Sequence, residues 1–168
     1  MKSLLRLIDR ISPPPVAHAH CDIPCGIYDP ALAQQAAQTV VRMNQLIEAL
    51  EQPQNAKEQW NKYNNSLSRY IAVKEEHAEL VKREVRIIWG DYFKPEHLEK
   101  HADLHTMVWN IMKLGSKCRQ EINMPAAQDL LGEVQKFAEA FWATKGAAVR
   151  RQPSMQAVGG ESVVPVAS

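Results

Sequence analysis

DPALAQQAAQTVVRMNQLIEAL, residues 29–50, decides the fold. Asp29 offers a side-chain oxygen to a helix start, and Pro30 follows at the first helical position, where a missing N–H costs nothing. Ala36, Val40, Met43, Ile47 and Leu50 then recur at spacings of four and three. That places them on one face of a helix that ends near Pro53.

Downstream the same period continues. A longer helix is predicted from Asn55 to Trp89, with Trp60, Tyr63, Leu67, Tyr70, Ile71, Leu80, Val81, Val85 and Ile88 inward and Gly90 as its stop. Asp91-Tyr92-Phe93-Lys94-Pro95 is aromatic and charged where a plain connector would be small and flexible, which marks it as a site element. Glu96 to His101 suggests a short turn. A third helix is expected over Asp103 to Glu121, with Leu104, Val108, Ile111, Leu114 and Cys118 inward. A fourth is expected over Pro125 to Lys145, carrying Leu131, Val134, Ala138 and Phe141. Four amphipathic helices with short connections pack most simply as an antiparallel bundle, so the expected class is all-α, with residues 31–145 as a four-helix bundle. No strand pattern competes. From Gly146 to Ser168 the period is lost to Gly, Pro, Ser and small residues, and this tail is expected to be disordered.

The bulk numbers narrow the function. The chain has 168 residues and is 45% hydrophobic, enough for one domain with a real core. Lys plus Arg total 20 against 19 Asp plus Glu, so no strong field gathers nucleic acid or an anionic membrane. No apolar run reaches the roughly 18 residues a membrane span needs. The expected partners are a small molecule and further copies of the chain. The cysteines are three, at 21, 25 and 118, too few and of the wrong parity for a disulfide-stapled module. A reducing compartment fits them better.

Upstream of Asp29 lies His20-Cys21-Asp22-Ile23-Pro24-Cys25-Gly26. Alone, two cysteines four apart are compatible with a structural pair, a redox pair or half a zinc site. The context is more specific. Residues 1–19 contain Asp9, Arg10 and Pro13-Pro14-Pro15, which break any apolar core of an export signal, yet Ala17-His18-Ala19 has the small-x-small character of a cleavage site. Cleavage after Ala19 would give His20 a free α-amine. That amine, the backbone nitrogen between His20 and Cys21, and the Cys21 sulfur then form two fused five-membered chelate rings, and Cys25 supplies a fourth donor. Pro24 and Gly26 are residue types that fix and permit the bend this requires. Two nitrogens and two thiolates in a plane suit a d8 ion such as Ni(II), whereas Zn(II) favours a tetrahedron. The His20 imidazole is available as an axial ligand. Residues 20–30 are therefore read as a metal-binding hook and residues 1–19 as a removable leader.

His20-Cys21-Asp22-Ile23-Pro24-Cys25-Gly26-Ile27-Tyr28-Asp29-Pro30 resembles the hook motif of nickel-dependent superoxide dismutases. Trp89-Gly90-Asp91-Tyr92-Phe93-Lys94-Pro95, Leu104-His105-Thr106 and Phe141-Trp142-Ala143-Thr144-Lys145 are similar to that family too. The resemblance spans about 20–145. It implies conversion of superoxide to dioxygen and hydrogen peroxide by Ni(II)/Ni(III) cycling, with one nickel ion per chain. It also implies a homohexamer, a cytoplasmic location and a dedicated maturation protease. Residue by residue, it makes His20, Cys21 and Cys25 the metal ligands, and Tyr28 and Tyr92 the hydroxyls lining substrate access. Asp22 and Lys94 become the charged groups nearby, a lysine there attracting a small anion. The acidic and basic residues that support the axial imidazole in some members fall at Ala36 and His77.

Each feature also has a plainer reading. Tyr28 and Tyr92 are residue types common at subunit contacts, and an exposed lysine such as Lys94 is ordinary. His97, His101 and His105 repeat every four residues, but Pro95 and Asp103 split that stretch into two turns. Cys118 continues an inward apolar row and reads as core. A dithiol redox protein built on Cys21 and Cys25 gives no role to His20 or the leader. A metal-storage bundle has no need of the tyrosines.

Overall fold

The computed structural model describes residues 26–54 and 57–166. The chain is mostly helical, with α1 (Ala31–Glu48), α2 (Lys57–Ile87), α3 (Pro95–Leu98), α4 (Leu104–Gln120) and α5 (Met124–Thr144). A π-helical turn, Ile88–Tyr92, follows α2, and two strands, β1 (Val149–Pro153) and β2 (Glu161–Pro165), follow α5.

The helix starts are set locally. Asp29 Oδ1 accepts the Ala31 N–H at 2.8 Å, so Asp29 serves as the cap and Pro30 as the first turn. Asn123 Oδ1 accepts the Ala126 N–H at 2.9 Å and starts α5 ahead of Pro125. At the other end of α5, Gly146 adopts φ +69°, the left-handed conformation that ends helices and suits glycine.

The four long helices touch in a closed ring: α1 lies against α2 and α5, and α4 lies against the same two. Ala33, Ala37 and Val40 meet Val81 and Val85, Leu104 and Ile111, and Leu130, Val134, Phe137 and Phe141 in one core. Small residues on α1 allow its backbone to approach α2 closely. Cys118 is fully buried in the row where its spacing puts it.

Four expectations need correction. The second helix does not stop at Gly90: the backbone widens into the π turn and ends where the Phe93 N–H reaches Ile88 O at 3.3 Å. Nothing lies within 4 Å of a Cβ built on Gly90, so its side of the turn is open. The expected inner residues Trp60, Tyr63, Leu67, Tyr70 and Ile71 are only half-buried. The Lys74 ammonium meets the carbonyls at the end of α4, so the turns of α2 before Lys74 run past that end. The chain is also not all-α, and the tail is not without structure. β1 and β2 pair antiparallel from Val149↔Pro165 to Pro153↔Glu161, joined through Ser154–Gly160.

The hairpin is held by side chains of the helices. Gln34 Nε2 donates to Val163 O at 2.9 Å and the Val163 N–H donates to Gln34 Oε1 at 2.8 Å, so the amide pairs with β2 as a third strand would. Gln135 Nε2 donates to Glu161 O at 2.7 Å, and Arg151 Nε donates to Glu139 Oε1 at 2.8 Å. Val163, 2% exposed, completes the seal.

Candidate metal centre and its approach

His20, Cys21, Asp22 and Cys25 lie outside the described residues. The described chain begins at Gly26, whose φ of +72° is a left-handed conformation that any side chain would strain. This is where the sequence calls for a bend after Cys25. Ile27 is exposed, Tyr28 packs against the core, and Pro30 is fully buried. The segment is thus pinned at Tyr28 and Pro30 as it enters α1.

Tyr28 meets Tyr92 directly, with ring centroids 5.6 Å apart and planes at 54°. These are the two tyrosines singled out in the sequence, brought together across 64 positions of chain by the π turn. Tyr92 sits in an aromatic nest: 4.7 Å from Phe141, 5.3 Å from Phe93, and stacked on the His97 ring at 5.5 Å and 17°. Its hydroxyl lies 2.7 Å from Thr144 Oγ1. The Lys145 ammonium lies 5.4 Å from the Tyr92 ring and 5.1 Å from that of Phe141. Such a placement over aromatic faces is attractive and adds positive charge beside the phenol.

Lys94 is exposed two residues beyond Tyr92. Its backbone N–H donates to His97 Nδ1 at 3.1 Å and its carbonyl accepts the His97 N–H at 2.9 Å. The Lys94 backbone is therefore fixed while its side chain extends outward. Among the described residues its ammonium forms no salt bridge.

The three histidines do not form one face. His97 lies in α3, His101 in the connector and His105 in α4. His97 Nδ1 accepts from Lys94, and His105 Nδ1 accepts the Trp89 indole N–H at 3.0 Å. Among the described residues no three of His, Cys, Asp and Glu come together as a metal-holding group. Ala36 is buried, and His77 Nδ1 donates to Val73 O at 2.9 Å. Sequence reasoning missed His97, Thr144 and Lys145 as neighbours of Tyr92. Thr144 and Lys145 belong to a block noted only for its resemblance, and nothing in periodicity links residue 144 to residue 92.

The family model for nickel-containing superoxide dismutase matches residues 15–145, so β1 and β2 lie outside it. The Superoxide dismutase [Ni] of Streptomyces coelicolor is 33% identical over 142 residues, which cover 84% of this chain and 100% of that protein. The protein of the same name from Streptomyces seoulensis is 33% identical over 145 residues, with the same two coverages. Among solved structures, a native nickel superoxide dismutase aligns with a TM-score of 0.65 at 33% identity, covering 75% of this chain and 99% of that one. Another, with nickel ligation corresponding to the oxidized state, aligns with a TM-score of 0.66 at 33% identity, covering 76% and 100%. A nickel cofactor and an oxidoreductase activity come with that membership: the chain belongs to the nickel-containing superoxide dismutase family.

Proposed function

We propose that the chain, once cut before His20, converts two superoxide ions and two protons into dioxygen and hydrogen peroxide at a nickel ion held by residues 20–25. The observation that carries this reading is the Tyr28–Tyr92 pair, 5.6 Å between centroids, seated where the segment after Cys25 enters α1. Gly26, in the left-handed conformation, supports a chain that doubles back there.

The donor set fits nickel. The α-amine of His20, the backbone nitrogen of Cys21 and the thiolates of Cys21 and Cys25 are two nitrogens and two sulfurs, with the His20 imidazole as a fifth donor. Nickel supplies one-electron cycling between the +2 and +3 states. Anionic thiolates favour the higher state, so the ligand residues themselves bring the potential into a usable range. Tyr28 and Tyr92 narrow the approach to species the size of superoxide. Lys94 draws the anion inward, and Asp22 sets the charge close to the hook. The uncut chain lacks the amine, so residues 1–19 act as a leader whose removal creates the site. A dedicated protease, an antiparallel four-helix bundle over 31–145, a homohexamer and a cytoplasmic location complete the reading. Among the described residues no helix is long and apolar enough to cross a membrane.

The test is to co-express the chain with its maturation protease, weigh the product and record its electron paramagnetic resonance spectrum. The expected product begins at His20 and shows a rhombic Ni(III) signal with axial nitrogen coupling. A mature chain beginning elsewhere, or a Cys21→Ser variant with full dismutase activity, would sink the reading.

A further inference from the structure

Tyr92, Thr144 and Phe141 form a chain of two hydrogen bonds whose directions chemistry dictates. The Phe141 carbonyl can only accept, so the Thr144 hydroxyl, 2.6 Å away, gives it its one proton. Tyr92 Oη lies 2.7 Å from Thr144 Oγ1. With the threonine proton already committed, the proton in that contact belongs to Tyr92. The phenol therefore points its O–H at α5 and turns its lone pairs elsewhere. The ring cannot easily swing to change this, because Phe141, Phe93, His97 and Tyr28 pack on it.

We propose that Thr144 is a positioning residue that fixes Tyr92 as a hydrogen-bond acceptor on the approach to the hook. This rests on the reading above that Tyr92 lines that approach. Its consequence concerns protons. The Tyr92 O–H bond is not broken in the reaction, and the two protons that complete each hydrogen peroxide come from solvent by another route. It also concerns selectivity. Superoxide is an anion that can only accept, so a phenol presenting lone pairs does not trap it. Water and hydrogen peroxide carry O–H groups and can donate to the phenol oxygen. Attraction of the anion is left to the cations Lys94 and Lys145, and Tyr92 instead orders the donors that pass it.

The experiment uses the mature, nickel-loaded chain and its T144V, T144S and Y92F variants. Ultraviolet resonance Raman spectra, with Y92F subtracted, isolate the tyrosine doublet of Tyr92, whose intensity ratio reports whether its hydroxyl donates. Wild type and T144S should share one ratio, that of a phenol donating to a threonine or serine oxygen, and T144V should show a shifted ratio, because its freed O–H turns to water on the approach. Superoxide decay after pulse radiolysis should show kcat/KM lowered about three- to tenfold in T144V, as expected for one lost positioning hydrogen bond, and restored in T144S. The solvent deuterium isotope effect should be the same in Y92F as in wild type. A wild-type Tyr92 that does not donate, a T144V spectrum matching wild type, or a Y92F variant with an altered isotope effect overturns the proposal. The spectral and Y92F arms decide it even if T144V folds poorly. Wild-type protein without dismutase activity would overturn the parent reading and this one with it. Failure of the spectral arm with activity intact overturns this one alone.

Discussion

Replacing Gln34 with alanine should show what fastens the C-terminal hairpin to the helices. Gln34 is 4% exposed and both atoms of its amide are used, at 2.9 and 2.8 Å, on the peptide groups of Val163. Alanine removes both partners and leaves a buried N–H and a buried C=O on β2. Each such orphan costs about 1–3 kcal/mol, so the range is about 2–6 kcal/mol. A groove of about 600 Å³ runs beside the contact, lined by Gln34, Gln38, Ser162 and Val163. Water entering it can repair part of the loss, which points to the low end, about 2 kcal/mol. Urea unfolding of Q34A against wild type measures this. Q35A is the control, because Gln35 is exposed on the next position of the same helix. Amide hydrogen exchange should show the loss concentrated in Glu161–Pro165 and in the first turns of α1. A Q34A protein within about 0.5 kcal/mol of wild type, with β2 amides still protected, would refute the argument.

Further predictions concern buried titratable groups and a helix cap. Burial pushes the Cys118 thiol up from 9.0 to about 11, against the lowering influence of Lys74. The folded state therefore holds the thiol proton longer than the unfolded chain. The resulting stability, about 3 kcal/mol, is fully present below pH 9 and lost as pH rises to about 11. The difference between wild-type and C118A unfolding curves across that window measures it. Burial lowers the Lys74 pKa below 10.5, the opposite case for a cation. Its contribution grows with pH between its lowered folded value and 10.5. K74M strips the donor from the carbonyls of Arg119 and Glu121 and should destabilise by about 2 kcal/mol, with faster exchange confined to the last turn of α4. N123A removes the α5 cap on Ala126 and should cost about 1 kcal/mol in the same unfolding assay.

The parts of this fold that could be read in the sequence are those fixed within a few residues of themselves. Asp29-Pro30 and Pro125 mark helix starts locally, and the helices begin within a residue or two of where those residues point. Most of the inward rows of α4 and α5 was legible because burial there is decided by one helical face, although Leu114 and Leu131 are only half-buried and Leu130 is the leucine that α5 buries. The Gly90 stop was misread because the path after Ile88 depends on where Tyr92 and Phe93 find partners. Those partners are Phe137 and Phe141, on a helix more than forty residues away. Thr144 escaped notice for the same reason. Tyr28 and Tyr92 were marked by resemblance, and their contact bears on that assignment through geometry the chain alone does not display.

Hydropathy reads a buried glutamine or lysine as a solvated one, and here that hides a division of labour. Apolar residues fill the space between the four long helices, while five of the buried polar ones, Gln34, Gln38, Asn44, Lys74 and Gln135, sit at joints between elements. Asn44, fully buried, donates to Val40 O at 2.9 Å and accepts the Asn123 N–H at 3.0 Å, tying α1 to the start of α5. Lys74 caps the end of α4 from α2, and Gln34, Gln38 and Gln135 carry the hairpin. Among the described residues no buried side-chain nitrogen or oxygen lacks a partner. An orphaned polar group is costly, so each of these side chains tolerates one arrangement of its neighbours, whereas an apolar contact tolerates many. The hydrophobic pattern selects a helical core, and the polar joints select which ends meet. The joint at Gln34 lies in the first turn of α1, the turn into which Gly26–Pro30 feeds, so the hairpin steadies the helix end that follows Gly26–Pro30.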